Sequence, residues 1–98
     1  MPCSIQRIQN LNELRNYVNE TLCDHDQLEP GAFRFSERIL MRSGRPCGLH
    51  FCLHGPRAVR FTAIWETDSN SILFYNSTGE RFQKTKLTAA PELTLLTA

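Results

Sequence analysis

Residues 47–66, CGLHFCLHGPRAVRFTAIWE, decide the fold of this chain. Apolar and polar residues alternate on both sides of Gly55-Pro56, and this alternation predicts two β-strands joined by a tight turn. Because side chains of a strand point to opposite faces in turn, the first strand divides into two sets. One set is Cys47, Leu49, Phe51 and Leu53, and the other is Gly48, His50, Cys52 and His54.

The pairing register of this hairpin determines which set is buried, because a slip of one residue exchanges the two faces. A two-residue loop would place the histidines beside the large apolar residues of the second strand. A three-residue loop, 54–56, pairs Phe51 with Val59 and Leu49 with Phe61. Burying each large side chain contributes roughly 1.5–3 kcal/mol, so we expect the three-residue loop. The face that carries His50, Cys52 and His54, here called the outward face, then stays in water.

Composition and charge indicate one ordinary globular domain. The chain has 98 residues, of which 41% are hydrophobic and 21% charged, with a formal net charge of +1, and this balance predicts neither an acidic tail nor a strongly basic nucleic-acid binder. No segment resembles a signal peptide or reaches membrane-spanning length. The four cysteines lack the spacing of a disulfide framework, so we expect a reduced, cytoplasmic protein without a membrane partner.

The remaining segments complete an α+β fold. Asn10 can cap a helix over residues 10–23, with Glu13 placed for a capping box. Besides 47–54 and 57–66, strands are expected at 32–42, 71–76 and 80–85, although a helix over 36–43 is an alternative to the first of them. We predict a single domain, 1–98, in which the N-terminal helix packs on one face of a four- to five-stranded antiparallel β-meander. A tail over 86–98 follows.

Two further pairings are expected from the alternation. Met41 should pair with Cys47, and Trp65 with Leu73. The first pairing places Glu37 on the core side opposite Phe51, so that this carboxylate needs either a bulge that turns it outward or a partner. The second adds Ile64, Ile72 and Phe74 to the outward face as an apolar flank, through which a homodimer could form.

The outward face is the predicted binding surface. The registers set His50 between Arg38 and Arg60, with Arg34 beside His54. Like charges directly opposite each other destabilise a sheet, so we expect the pKa of His50 to lie below the ordinary value of about 6.5. The pattern favours a binding module over an enzyme, for a small anionic ligand or a partner protein. The predicted ligand-binding residues are Arg34, Arg38, His50, Arg60 and Phe74. Single-stranded nucleic acid, with Phe74 as a stacking platform, remains an alternative that the near-zero net charge disfavours.

Two other chemistries are open on the same strand. His50, Cys52 and His54 recur every second residue on one face and are zinc-type ligands, with Cys23 or His25 as the candidate for a fourth position. A cysteine-dependent enzyme would use Cys52 with a neighbouring histidine. Side chains that are two residues apart along a strand are about 6.5–7 Å apart, and no Asn or Asp is placed to orient the imidazole, so this alternative is weaker.

GRPCGLHFCLHGPRAVRFTAIWET, residues 44–67, and STGERFQKT, residues 77–85, resemble a small family of uncharacterised single-domain bacterial proteins. The resemblance extends over the C-terminal two thirds of the chain. No activity is assigned to that family, so the resemblance implies no catalytic or binding residue.

Overall fold

A computed structural model of the chain describes residues 3–89, in which one helix packs on a six-stranded sheet. The elements are β1 Cys3–Gln6, α1 Leu11–His25, β2 Arg34–Arg42, β3 Arg45–His54, β4 Arg60–Glu66, β5 Ser71–Tyr75 and β6 Arg81–Leu87. The strand order is β1-β6-β5-β4-β3-β2, and every pair is antiparallel except β1–β6.

The α+β class is confirmed, but the number of strands is six and the meander is incomplete, because β1 joins it from the far end of the chain. The alternative helix over 36–43 is wrong, since these residues lie mostly within β2. The predicted tail also began too early, because residues 86 and 87 belong to β6. The rest of that tail from residue 90 onward lies outside the described residues.

Asn10 caps the helix and its apolar stripe is buried as predicted, but Glu13 accepts from the Gln9 amide and not from the Asn10 amide that a capping box would use. The Glu13 amide donates to Asn10 Oδ1 at 2.9 Å, and the Glu13 carboxylate accepts from the Gln9 amide at 3.3 Å. Leu14, Val18 and Leu22 are fully buried along one stripe, which is the spacing of an amphipathic helix. The helix ends at residue 25, two residues beyond the predicted end.

The helix covers the predicted face of the sheet. Leu49 and Phe51 of β3 are fully buried, and Trp65 and Phe61 of β4 are nearly so. The Phe51 ring stacks on Phe35 of β2 with ring centroids 5.6 Å apart. Of the described residues, no helix is both long and apolar enough to cross a membrane.

The β2–β3 hairpin has the predicted register over most of its length. Arg38 pairs with His50 and Glu37 with Phe51. A shift between residues 40 and 41 then pairs Met41 with Pro46 instead of Cys47. The shift follows from the tight turn at Ser43-Gly44, where both residues have positive φ and β3 therefore begins at residue 45, earlier than predicted.

Glu37 is neutralised by a residue of the helix. Arg15 donates from Nε to Glu37 Oε1 at 2.5 Å and from Nη2 to Oε2 at 3.0 Å. The two side chains are 33% and 28% exposed, respectively. A partner, not a bulge at this position, therefore accommodates the one acidic residue that β2 carries.

The predicted register of β3–β4 is wrong by four residues. His54 pairs with Arg60 and Leu53 with Phe61, so the connection is a five-residue loop, 55–59. The Gly55 amide closes this loop by donating to the Val59 carbonyl at 2.8 Å. A shift by an even number of residues keeps each side chain on its face, so the assignment of the buried and outward faces is correct.

The predicted register of β4–β5 is wrong by one residue, which exchanges the faces of β5. Trp65 pairs with Ile72 instead of Leu73. As a result, Ile72 and Phe74 are fully buried beneath the helix. The connecting turn holds this register, because Trp65 Nε1 donates to Asn70 Oδ1 at 3.1 Å.

A hydroxyl network joins β1, α1 and β6 at the other edge of the sheet. Thr85, which is fully buried, has its Oγ1 2.8 Å from both Ser4 Oγ and Tyr17 Oη. Gln83 Nε2 donates to the same Oγ1 at 3.0 Å. Burial of a hydroxyl requires such partners, and they link the parallel strand to the helix.

Candidate functional site

The outward face carries rows of side chains that the strand register places side by side. The first row across β2, β3 and β4 is Arg34, His54 and Arg60. The second is Ser36, Cys52 and Thr62. The third extends over five strands as Arg38, His50, Ile64, Leu73 and Lys84.

Four of the predicted site residues lie together, but in a different arrangement. Arg38 is opposite His50 as expected, and Arg34 is opposite His54. Arg60 is opposite His54 instead of His50, because of the longer loop at 55–59. His54 is therefore the histidine that stands between two arginines.

Phe74 does not belong to this face, and its prediction as a ligand-binding residue is wrong. Its ring is fully buried between the sheet and the helix, where it meets Tyr17 edge to face with centroids 6.1 Å apart. Phe74 and Ile72 are both buried, so neither belongs to the apolar flank predicted for a homodimer. Ile64 keeps its predicted place, and Leu73, which is half-buried, replaces them beside it.

A shallow concavity of about 290 Å³ lies over β2, β3 and the start of β4. Its polar contact is between Ser36 Oγ and His54 Nε2, which are 3.1 Å apart. This contact orients one imidazole toward β2. The concavity is lined by Ser36, Glu37, Arg38, His50, Cys52, His54 and Arg60.

The electrostatics of the concavity disfavour a proton on His50. Partial burial lowers the pKa of its imidazole below the ordinary value of 6.5, and the guanidinium of Arg38 on the neighbouring strand lowers it further. Desolvation and a like charge both penalise the charged form of a histidine. The outward face therefore keeps a neutral imidazole beside a permanent cation.

This lowered pKa predicts a pH-dependent contribution of His50 to stability. The folded protein binds the His50 proton more weakly than the unfolded chain, so the contribution is complete above pH about 6.5 and decreases as pH falls through and below that value. Urea unfolding of the wild type and His50→Gln from about pH 8 to about pH 5 measures it. The wild type should lose stability relative to the variant on acidification. A difference that is independent of pH, or of opposite slope, would contradict the lowered pKa.

Charge is segregated between the two sides of the molecule. The outward positions of the strands carry five cations, Arg34, Arg38, Arg60, Lys84 and Lys86, against the single carboxylate of Glu66. Arg81 adds a sixth cation, since its guanidinium lies 5.6 Å from the centroid of the Tyr75 ring. The helix carries most of its charge as acids, with Glu13, Glu20 and Asp24 exposed. A net charge near zero thus conceals a basic sheet face.

The described residues do not assemble a metal site or a catalytic dyad around Cys52. Over residues 3–89, no three His, Cys, Asp or Glu side chains are placed to hold a metal ion. Cys23 is a fully buried residue of α1, and His25, at the end of the same helix, stacks on Phe82, so neither can reach a ligand set on the outward face. Cys52 has Ser36 and Thr62 as its cross-strand neighbours, and no imidazole stands opposite its thiol.

A second concavity of about 500 Å³ lies between the end of α1 and β6, on the other side of the sheet. His25 stacks on Phe82 there, with centroids 3.7 Å apart and an angle of 13° between the rings. Glu20 and Asp24 give this concavity an acidic rim. It is separated from the outward face by the thickness of the sheet.

Several outward residues were not singled out from the sequence. Lys84 completes the row of Arg38 and His50, and Thr62 and Tyr75 share a row with Cys52. The alternation of Lys84 and Lys86 with Thr85 and Leu87 is the signal that identifies the two lysines as outward. This alternation can be recognised only if β6 extends to residue 87, beyond the predicted end at residue 85.

Comparison of the chain with models of protein families, with curated proteins and with solved structures gave no match. The resemblance to a small bacterial family therefore stays a prediction, and the function is argued from the site alone.

Proposed function

We propose that the protein is a binding module that takes an anionic ligand on the outward face, over Arg38, His50, His54 and Arg60. The observation that carries this proposal is the segregation of charge, which gathers cations on one sheet face of a chain with a net charge of only +1. Guanidinium groups hold carboxylate and phosphate oxygens in bidentate fashion, and such charge-assisted hydrogen bonds are about twice as strong as neutral ones.

The imidazole of His50 gives the site a response to its ligand. An anion bound beside His50 offsets the charge of Arg38, which is one of the two causes of the lowered pKa. Ligand binding should therefore raise the pKa of His50, because a nearby opposite charge favours the protonated form. Affinity and protonation are then coupled at one residue.

The test uses inorganic pyrophosphate as the probe, by calorimetric titration at low salt in a phosphate-free buffer. Arg38→Gln and Arg60→Gln should each weaken binding about tenfold, because each removes a charge-assisted interaction of about 1.4 kcal/mol. Saturating pyrophosphate should also raise the pKa of His50, measured by NMR of the imidazole protons.

The matched control is Arg7→Gln, which removes the same charge from an exposed position in the connection between β1 and α1. Its affinity should stay at the wild-type level. An equal loss in all three variants would mean that pyrophosphate senses only total charge. Unchanged affinity in both Arg38→Gln and Arg60→Gln would remove the site from this face.

A further inference from the structure

The outer edge of β2 offers backbone groups to a partner. β2 is the last strand of the sheet, and within residues 3–89 no other strand or loop pairs with its outer side. In an antiparallel pair, every second residue directs its N–H and C=O away from the neighbouring strand. With 9 residues, and a rise of about 3.3 Å each, β2 presents an open edge of roughly 30 Å.

The two faces beside this edge differ in character. On the outward face stand Arg34, Ser36 and Arg38. On the helix side stand Phe35 and Ile39, which pack against the core and are only partly buried. The acid on the helix side, Glu37, is already neutralised by Arg15. An added strand would therefore meet cations along one face and apolar surface along the other.

A second copy of this chain is a poor occupant for the edge. Arg34 and Arg38 stand four residues apart, and the outward side of β2 between them carries no carboxylate. An antiparallel β2–β2 pair that kept the two outward faces together would set arginines opposite or diagonal to arginines. Like charges in these positions destabilise a sheet. The charge pattern instead fits a segment of opposite sign.

We propose that β2 accepts an extended acidic segment of a partner polypeptide as an additional strand. Its acidic residues, at alternate positions, lie beside Arg34 and Arg38, and its apolar residues cover Phe35 and Ile39. Main-chain hydrogen bonds to an open sheet edge give such complexes affinity, and the alternate side chains give them specificity. This inference rests on the proposed function, since it names carboxylates of a peptide as the anion that the outward face binds.

The test uses the blocked peptide Ac-Glu-Val-Glu-Val-Glu-Val-Glu-NH2 and the full chain. Binding should slow hydrogen exchange at every second amide of β2, those that point away from β3, while exchange in β5 stays unchanged. Arg38→Glu should weaken binding at least tenfold, measured by fluorescence anisotropy of a labelled peptide. The same variant should gain affinity for the peptide in which lysine replaces each glutamate, which shows that it is folded.

Two control ligands separate this inference from the proposed function. A peptide N-methylated at alternate residues keeps its carboxylates but cannot pair with the edge, and it should not protect β2. Equal binding of both peptides, without protection of β2, would overturn strand addition and leave the anion site standing. If Arg38→Gln and Arg60→Gln both left the affinities for the peptide and for pyrophosphate unchanged, both proposals would be overturned. Tighter binding of a short oligothymidylate than of the peptide would assign the face to single-stranded nucleic acid and overturn the peptide.

Discussion

Replacing Phe51 with alanine is expected to lower the free energy of unfolding by about 4 kcal/mol, the cost of removing a buried aromatic ring and leaving a cavity. The Phe51 side chain is fully buried, and it stacks on Phe35 beneath the helix. Its strand lies between β2 and β4, so neither neighbour can move in to fill the space without breaking its own pairing. Urea or guanidinium unfolding measures the change.

Cys52→Ala is the matched control, because Cys52 is the next residue on the same strand but faces outward and is only half-buried. Cys52→Ala should lower the free energy of unfolding by less than about 1 kcal/mol, as for most substitutions away from a packed core. The contrast between neighbours tests which side of the sheet is covered. Equal losses in the two variants, or a larger loss for Cys52→Ala, would contradict the assignment of faces on which the site depends.

Gly48→Ala is the second substitution with a large expected effect. A Cβ built on Gly48 would stand 2.1 Å from the carbonyl oxygen of Trp65 and 3.5 Å from Cα of Glu66. These are backbone atoms of β4, and β4 is fixed in place by the buried Trp65 side chain. The two strands must separate locally. We expect the free energy of unfolding to fall by about 3 kcal/mol, in the upper part of the usual range for overpacking.

Gly44→Ala provides the comparison for Gly48→Ala. Gly44 has φ +77 and nothing within 4 Å of an added Cβ, so its substitution adds only the cost of a left-handed backbone, about 1 kcal/mol. Thermal and denaturant unfolding should rank the two variants clearly. If Gly48→Ala were as stable as Gly44→Ala, the close approach of β3 and β4 would be wrong.

Sequence alternation could identify the faces of β3 and β4 but not their exact partners. The apolar residues Leu49, Phe51, Phe61 and Trp65 stay on one face in any register that differs by an even number of residues. Burial energy therefore does not distinguish a three-residue loop from the observed loop over 55–59. The loop length is set by the loop backbone, in which Arg57 and Ala58 both adopt positive φ. No pattern in the sequence predicts this conformation.

The face of β5 could not be predicted because SILFY is apolar on both sides. Burying Ile72 and Phe74 or burying Leu73 and Tyr75 would give a similar gain in hydrophobic free energy. The turn before the strand decides, since Asn70 has φ 47 and binds the Trp65 indole while its amide group donates to the carbonyl of Leu87 at 3.3 Å. Phe74 consequently faces the core and not the outward face.

The candidate site was therefore predicted in its composition more than in its geometry. The arginines of β2 and the histidines of β3 follow from simple alternation, and the Arg38–His50 pair is correct. Which β4 residues lie beside the histidines depends on the length of the loop over 55–59. Arg60 is therefore opposite His54 and not opposite His50 as predicted. The position of Lys84 in the row of Arg38 and His50 depends on the extent of β6 and on the registers of β4–β5 and β5–β6. An error in any one register displaces every strand beyond it.

The parallel pairing of β1 with β6 gives the chain an order of assembly. Cys3 lies opposite Lys84, whereas each antiparallel pair from β2 to β6 joins strands that follow one another in sequence. The entropy lost in closing a loop rises with the logarithm of its length, and contacts between distant residues form slowly. The hairpins can thus form before β1 docks, and we expect local unfolding to release β1, a short strand of mostly exposed residues, more readily than the central strands.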